Sequence, residues 1–200
     1  PLSFPVRPTT SLPVAEDAYT VSYWHNVDLF VYFSHARVTI PPREWIDASH
    51  RFGVPCLGTF ITEWDTGRGE WASILENPSR MGSVISKLVD VAVTYGFEGY
   101  LLNVENEIAA QHTRRLQYFV TMLRKTLREK KASACEDASR VFVVWYDAVT
   151  VEGKLAFQNN LTTKNRPFFD VADNIFLNYF WRPPQLAVSL ANAPADRLAQ

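Results

Sequence analysis

This sequence predicts an α/β fold: a (β/α)8 TIM barrel, seen as a piece of about five β/α units. Three observations carry that reading. Five near-continuous apolar runs alternate with segments of helical period, the pattern of a parallel sheet with helices outside it. Hydrogen-bonding and aromatic side chains gather where those runs end, the end at which barrel enzymes build their sites. The alternative is an open dinucleotide-binding sheet, which wants Gly-x-Gly-x-x-Gly after its first strand. Here the chain reads Ser34-His35-Ala36-Arg37. A complete barrel takes eight strands and about 250 residues. With 200 residues, the chain is read as the N-terminal part of one, cut short. Five strands without closure leave two open edges, so such a chain alone is expected to aggregate readily.

The elements follow in order. Residues 1–22 are rich in Pro, Ser and Thr without a clear period and read as a lead-in segment; residues 23–200 read as the partial barrel. Residues 27–34 (VDLFVYFS) form the first strand, apolar enough to be buried on both faces. Pro41 and Pro42 start a helix through Trp45, Ile46 and Ala48, and Gly53 stops it. Residues 54–61 are the second strand, running into Thr62-Glu63-Trp64-Asp65 and then a glycine-containing loop over 66–69. Ile85, Leu88, Val89 and Ala92 are spaced for a helix over 77–95, closed by Gly96. Residues 97–104 are the third strand. Leu116, Phe119, Val120, Leu123 and Leu127 make the apolar stripe of a long helix over 108–131. Residues 141–145 (VFVVW) are the fourth strand. A short helix over 163–172 leads to a fifth strand over 174–181 (NIFLNYFW), and a further helix begins at Gln185.

Composition narrows the function classes. The chain is 47% hydrophobic and 14% aromatic with a formal net charge of −1, a globular composition that argues against a nucleic-acid or anionic-membrane partner. The basic run from Arg124 to Lys131 reads as the solvated end of a helix, where cations are favoured. No apolar run approaches the roughly 20 residues of a membrane span. Two cysteines, Cys56 and Cys135, make neither a disulfide framework nor a zinc spacing, and suit a reducing compartment. Asn160-Leu161-Thr162 is a glycosylation sequon that decides nothing by itself. The chain begins at Pro1, so the absence of a visible signal segment is weak evidence.

Standard catalytic signatures are missing: no Gly-x-Ser-x-Gly, no P-loop, no His-Glu-x-x-His. The four histidines have no metal-ligand spacing, and no metal or cofactor is expected. His50 and His112 fall on helices and read as surface. His25 and His35 flank the first strand; a structural role is the default there, lining a site the alternative. What remains stands at strand ends: Glu63, Trp64 and Asp65; Asn103 and Glu105; Tyr146 and Asp147; Asn178, Tyr179 and Trp181. Side chains alternate along a strand, so Asn103 and Glu105 share a face and Val104 takes the other. An amide and a carboxyl side by side suit an amide-bearing sugar. Aromatic rings cover a sugar's apolar face while amides and acids bind its hydroxyls, so the set as a whole favours a sugar cleft.

Several ordered motifs then resemble one family. Tyr23-Trp24-His25-Asn26-Val27-Asp28, Phe33-Ser34-His35, Leu57-Gly58-Thr59-Phe60-Ile61-Thr62-Glu63-Trp64, Gly99-Tyr100-Leu101-Leu102-Asn103-Val104-Glu105-Asn106-Glu107, Trp145-Tyr146-Asp147-Ala148-Val149-Thr150 and Phe176-Leu177-Asn178-Tyr179 together look like the endo-β-N-acetylglucosaminidases of glycoside hydrolase family 85. The similarity runs from about residue 23 to 181.

The resemblance implies a TIM-barrel catalytic domain cleaving the β-1,4 bond of the N,N′-diacetylchitobiose core of N-glycans, without cofactor or metal. Its partners would be N-glycans, glycoproteins and free oligosaccharides, and its eukaryotic relatives are cytosolic. Glu105 would match the general acid/base, Asn103 the asparagine that orients the substrate's 2-acetamido group, and Tyr146 a tyrosine near that group. Trp64 and Glu63 would contact substrate, as would Asn178 and the aromatic pair Phe180 and Trp181. Phe157 stands where the family often carries a tryptophan beside the cleft, a departure that bears on transglycosylation. In such a mechanism the substrate's acetamido oxygen replaces the usual second carboxylate, and one protonated acid with one polar partner suffices. A truncated or degenerate glycan-binding protein is the competing reading. An unrelated metabolic barrel enzyme is a third, but it would want a phosphate site after strands seven and eight.

Overall fold

The structure, a computed structural model, describes residues 19–134 and 136–197. The lead-in read over 1–22 therefore lies, as far as residue 18, outside the described residues, as does Cys135.

The strands are β1 (Phe30–Val31), β2 (Val38–Thr39), β3 (Cys56–Glu63), β4 (Gly99–Glu105), β5 (Phe142–Tyr146) and β6 (Asn174–Phe176). The helices are α1 (Arg43–Arg51), α2 (Trp64–Glu76), α3 (Pro78–Tyr95), α4 (Thr113–Ser133), α5 (Arg166–Val171) and α6 (Pro183–Asn192). The sheet runs β1-β3-β4-β5-β6, all parallel, with β2 added antiparallel against β3. Each parallel neighbour arrives after a helix on the outer side, so the sheet curls as half of a barrel wall.

Alternation along the strands sorts the core into two faces. Cys56 and Phe60 of β3, Tyr100, Leu102 and Val104 of β4, and Val143 and Trp145 of β5 point outward to the helices. There they meet Trp71, Ile74, Ile85, Leu88, Phe119 and Leu123 in the main core. Leu57, Leu101, Val144 and Tyr146 point inward and form a smaller cluster with Val31 and Leu29. The inner face is thus aliphatic below and polar at its C-terminal rim. Asn77 caps α3 by accepting the Arg80 N–H at 3.0 Å, Pro78 follows at the first helical position, and Gly96 ends the helix in the left-handed conformation, as the sequence pattern predicts.

Several sequence expectations need correction. The first strand, expected over 27–34, is only two residues long with one further ladder bond, Tyr32 N–H to the Leu57 carbonyl at 2.9 Å. The chain then turns, and β2, which the sequence did not predict, pairs back onto β3. The loop expected over 66–69 is helical: α2 starts directly at Trp64 and carries Gly67 and Gly69 within it. Burial of Trp71, Ile74 and Leu75, with Trp71 Nε1 donating to Thr62 Oγ1 at 2.8 Å, outweighs the poor helix propensity of glycine. The fifth long strand stops at Phe176, because Tyr146–Phe176 is the last register pair that β5 offers. Lastly, the basic run at the end of α4 is not simply solvated. Arg124 and Arg128 both donate to Asp173 Oδ1, at 2.7 and 2.6 Å, and buried Lys131 pairs with Glu136 at 2.5 Å. Asp173 Oδ2 also accepts the Val143 N–H at 2.8 Å, so this knot fixes the bottom of β5.

A matching knot holds the bottom of β3. Buried Glu98 accepts the Cys56 N–H at 2.7 Å and meets His50 Nε2 at 2.9 Å. His50 lies at the surface, as expected, and its Nε2 is within hydrogen-bond reach of that carboxylate. His112, also expected at the surface, is buried beside Glu76.

Burial raises the pKa of three weak acids here. The Cys56 thiol is pushed up to about 12 by burial and by the charge of Glu98, against a hydrogen bond to Ser49. Tyr146 is pushed up to about 12 by burial and then by the charge of Glu105. Tyr100, whose hydroxyl donates to the Leu88 carbonyl, is raised by burial as well. The unfolded chain releases these protons from about pH 9 upward while the folded chain keeps them. Stability is therefore full below pH 9 and falls as pH rises toward 12, by up to about 1.4 kcal/mol per pH unit for each group titrating only in the unfolded chain. Thermal melts at pH 7.5 and 10.5 should show a lower Tm at the higher pH, and Cys56→Ala should reduce that difference. A Tm unchanged between the two would contradict it.

Candidate active site

The C-terminal ends of β3, β4 and β5 bring the site residues to one rim. Leu101 of β4 pairs with Val144 of β5, so Asn103 and Tyr146 stand one inward step further on as neighbours. Ile61 pairs with Asn103, and Glu63 with Glu105, across β3 and β4. A cavity of about 410 Å³ opens above the aliphatic inner cluster, lined by Asn103, Glu105, Tyr146, Val31, Phe33, His35, Leu101, Phe176 and Tyr179. A more apolar groove of about 450 Å³ lies on the outer wall, around Met81, Tyr118 and Met122. Its one ionised side chain, Arg115, is committed to the Leu75 carbonyl, so hydrolytic chemistry is not provided for there.

Asn103 is the key to the geometry. It is only 2% exposed. Its Nδ2 donates to Glu105 Oε1 at 3.1 Å, and its Oδ1 is buried with no hydrogen-bond partner. A buried acceptor left unpaired costs about 1–3 kcal/mol, so Asn103 Oδ1 is free to take a donor that enters the cavity. Glu105 ends β4, half-buried and on the cavity wall.

Tyr146 lines the cavity from the neighbouring strand β5. Its hydroxyl donates to Asn178 Oδ1 at 3.1 Å, and its ring lies 6.0 Å from those of Phe157 and Phe176. With its pKa pushed up to about 12 by burial, the phenol keeps its proton and remains a donor. Phe157 sits at the end of a small hairpin, where Ala156 N–H bonds the Ala148 carbonyl and Val149 bridges Leu155. That hairpin is locked to the exit of β4. The Gly153 carbonyl accepts the Ile108 N–H at 2.8 Å, and a Cβ on Gly153 would collide with the Ile108 carbonyl. Gly153 also has φ +80, so only glycine fits this junction without strain.

The remaining expected contacts divide. Glu63 ends β3, but its carboxylate is taken by His35 Nδ1, at 3.2 and 3.3 Å, and does not line the cavity. Trp64 is 77% exposed with φ 56, a strained conformation for a bulky residue, forced where β3 turns straight into α2. Asn178 is buried against Tyr146. Phe180 and Trp181 stand exposed beyond the end of β6 at Phe176 and do not line the cavity. Four lining residues, Val31, Phe33, Leu101 and Phe176, carry no site role in the sequence reading. The signal for Phe33 is present there: it shares strand parity with Val31 and His35, and the face is set by Val31 pairing with Leu57. His35 takes the site-lining role rather than the structural one. Among the described residues, no group of three or more His, Cys, Asp or Glu side chains is placed to hold a metal ion.

The chain is similar to known proteins in sequence and in fold. The chain is 40% identical over 178 residues to cytosolic endo-beta-N-acetylglucosaminidase 2 of Arabidopsis thaliana, covering 88% of this chain and 24% of that protein. It is 39% identical over 186 residues to the mouse cytosolic endo-beta-N-acetylglucosaminidase, covering 92% and 24%. The chain thus spans about a quarter of the length of the curated relatives it matches. Among solved structures, the glycoside hydrolase domain of Endo-D from Streptococcus pneumoniae R6 superposes with a TM-score of 0.68 at 24% identity, covering 86% of this chain and 27% of that one. A chitinase from Rhizomucor miehei superposes at 0.54 with 16% identity, covering 79% and 52%. Both likenesses are of fold, and they place the curled sheet as part of a TIM barrel. Residues 8–199 match the Glycosyl hydrolase family 85 model, a span that takes in the cavity and every strand that shapes it, and the chain belongs to that family.

Proposed function

We propose that this chain carries the catalytic rim of an endo-β-N-acetylglucosaminidase that cuts the N,N′-diacetylchitobiose core of N-glycans by substrate-assisted, retaining catalysis. The observation that carries the reading is the unpaired, buried Oδ1 of Asn103 beside Glu105. An acetamido N–H is the donor that would satisfy it. Polarised in that way, the acetamido oxygen attacks C1 while Glu105 protonates the departing glycosidic oxygen, giving an oxazolinium ion. Glu105, now a carboxylate, takes a proton from water, which opens the ring from the opposite face. Tyr146, whose hydroxyl proton goes to Asn178 Oδ1, stands beside the acetamido group as part of the wall that holds it. The residue that could have served as a second carboxylate, Glu63, is engaged by His35, which favours the substrate's own nucleophile over a protein one.

Trp64, Phe157, Phe180 and Trp181 are proposed as platforms for the outer sugars, and Asn178 and Glu63 as polar contacts. Residues 23–200 would then be the catalytic part and 1–22 its approach. The relatives are named as cytosolic enzymes, and the same compartment is proposed here.

The test is anomer-resolved NMR of the first product released from an asparagine-linked glycan by the full-length protein. Two inversions give net retention, so the new reducing end should appear as the β anomer. Early α anomer would exclude the oxazolinium route. No cleavage by a folded protein would leave a glycan-binding role.

A further inference from the structure

We propose that Asp147 is a positioning residue for this site: its buried carboxylate ties the loop bearing Phe157 and the segment bearing Asn178 to Tyr146. It thereby sets the wall against which the acetamido group is held. The inference rests on the substrate-assisted reading above.

Asp147 directly follows Tyr146 and is 1% exposed. Three donors converge on its carboxylate. Oδ2 accepts the backbone N–H groups of Gln158 at 3.0 Å and Asn159 at 2.6 Å. Oδ1 accepts Asn165 Nδ2 at 2.8 Å. Burial raises its pKa, while these bonds and the nearby Asn178 N–H favour the charged form. Its own N–H donates to the Phe176 carbonyl at 2.9 Å. Asp147 does not line the cavity, so it acts through its neighbours. Gln158 follows Phe157, whose ring rests against Tyr146, and Asn178 supplies the acceptor for the Tyr146 hydroxyl. Asn159 is held at φ 57, a conformation that its bond to Asp147 helps to keep.

The chemistry requires a carboxylate. Asparagine at this position has one acceptor oxygen, and its NH2 would face donors whichever way it turned. On one side are the Gln158 and Asn159 N–H groups. On the other is Asn165, whose amide cannot reverse, since its Oδ1 accepts the Thr162 N–H at 2.8 Å and its Nδ2 also donates to the Asn160 carbonyl at 2.9 Å. Asp147→Asn therefore keeps shape and volume but frees one arm of the wall.

The experiment uses the full-length protein, an N-glycopeptide and a preformed sugar oxazoline. Forming the oxazolinium needs the acetamido group held in place; opening it needs Glu105 and water. Asp147→Asn should lower kcat on the glycopeptide about 10–100-fold, the scale of a small misplacement, with oxazoline turnover changed less than about threefold. Hydrogen exchange should quicken at residues 158, 159 and 178 and not in β3 or β4. Asn165→Ala, which removes one donor, should show the same split more weakly, and it decides the question if Asp147→Asn does not fold. Equal losses on both substrates, or no loss, would overturn the positioning role. Asn103→Ala separates the two ideas. If it spares the oxazoline while Asp147→Asn loses both activities, only the positioning role fails. If Asn103→Ala loses both, the substrate-assisted reading fails and this inference goes with it.

Discussion

Glu105→Gln is expected to remove both activities of the full-length protein, cleavage of a chitobiose-core glycan and hydrolysis of a preformed sugar oxazoline. The glutamine is nearly isosteric, and Asn103 Nδ2 can still donate to its carbonyl oxygen, so the fold and the cavity should stay. What is lost is a proton to give in the first step and a base in the second. General acid–base catalysis is typically worth about 10²–10⁴ in rate, so the glycan rate should drop by about 10³-fold or more. The oxazoline rate should fall on the same scale, because the attacking water then loses no proton to the protein. Glycan binding should survive within a few fold, as measured by titration calorimetry. A Glu105→Gln variant that still turned over the glycan at near the parent rate would move the acid elsewhere on the rim, and Glu63 would be the group to test next.

The barrel wall and the heart of the site are legible in the sequence because both depend on strand parity. The period-two pattern of β4 by itself puts Asn103 and Glu105 on one face, and the register with β3 and β5 keeps them there. The long helices are legible from caps and apolar stripes, as Asn77, Pro78 and Gly96 around α3 illustrate. The short elements are not. Propensity says loop for Thr66-Gly67-Arg68-Gly69, and only the burial of Trp71, nine residues from its partner Thr62, makes that stretch helical. The run 174–181 looks like one strand, yet a strand needs a neighbour, and β5 has none to offer past Tyr146. That is why Phe180 and Trp181 fall outside the cavity while Phe176 and Tyr179 line it.

Long-range polar pairs are the other blind spot. Nothing local marks Asp173 as the partner of Arg124 and Arg128, or Glu98 as the partner of His50. Such pairs join residues 45 to 49 positions apart, and only the tertiary fold sets them face to face. They lie at the N-terminal ends of the strands, opposite the cavity, where a barrel's polar residues serve stability rather than chemistry. Sequence supplies the residue types of both ends but does not tell which end each will serve. Asp147 shows the same limit: it stands in view beside Tyr146, yet the donors to its carboxylate come from residues 11 to 18 positions away.

Asn103→Ala should produce the second large effect, and of a different kind. The alanine removes the unpaired buried acceptor proposed to take an acetamido N–H and leaves Glu105 without its amide donor. Losing a preorganised group of this type costs about 10²–10³ in rate, so glycan cleavage should fall on that scale. A preformed oxazoline enters after the step that Asn103 assists. Its turnover should therefore stay within about tenfold of the parent, since Glu105 still activates the water. With a sugar acceptor present, such a variant should build product from the oxazoline and cleave it only slowly, because the product must be reactivated through the missing interaction. Steady-state kinetics on the two substrates, alongside a melt showing that the variant is folded, check the claim. Equal losses on both would mean that Asn103 only supports Glu105, and the division of labour between neighbours on one strand face would be wrong.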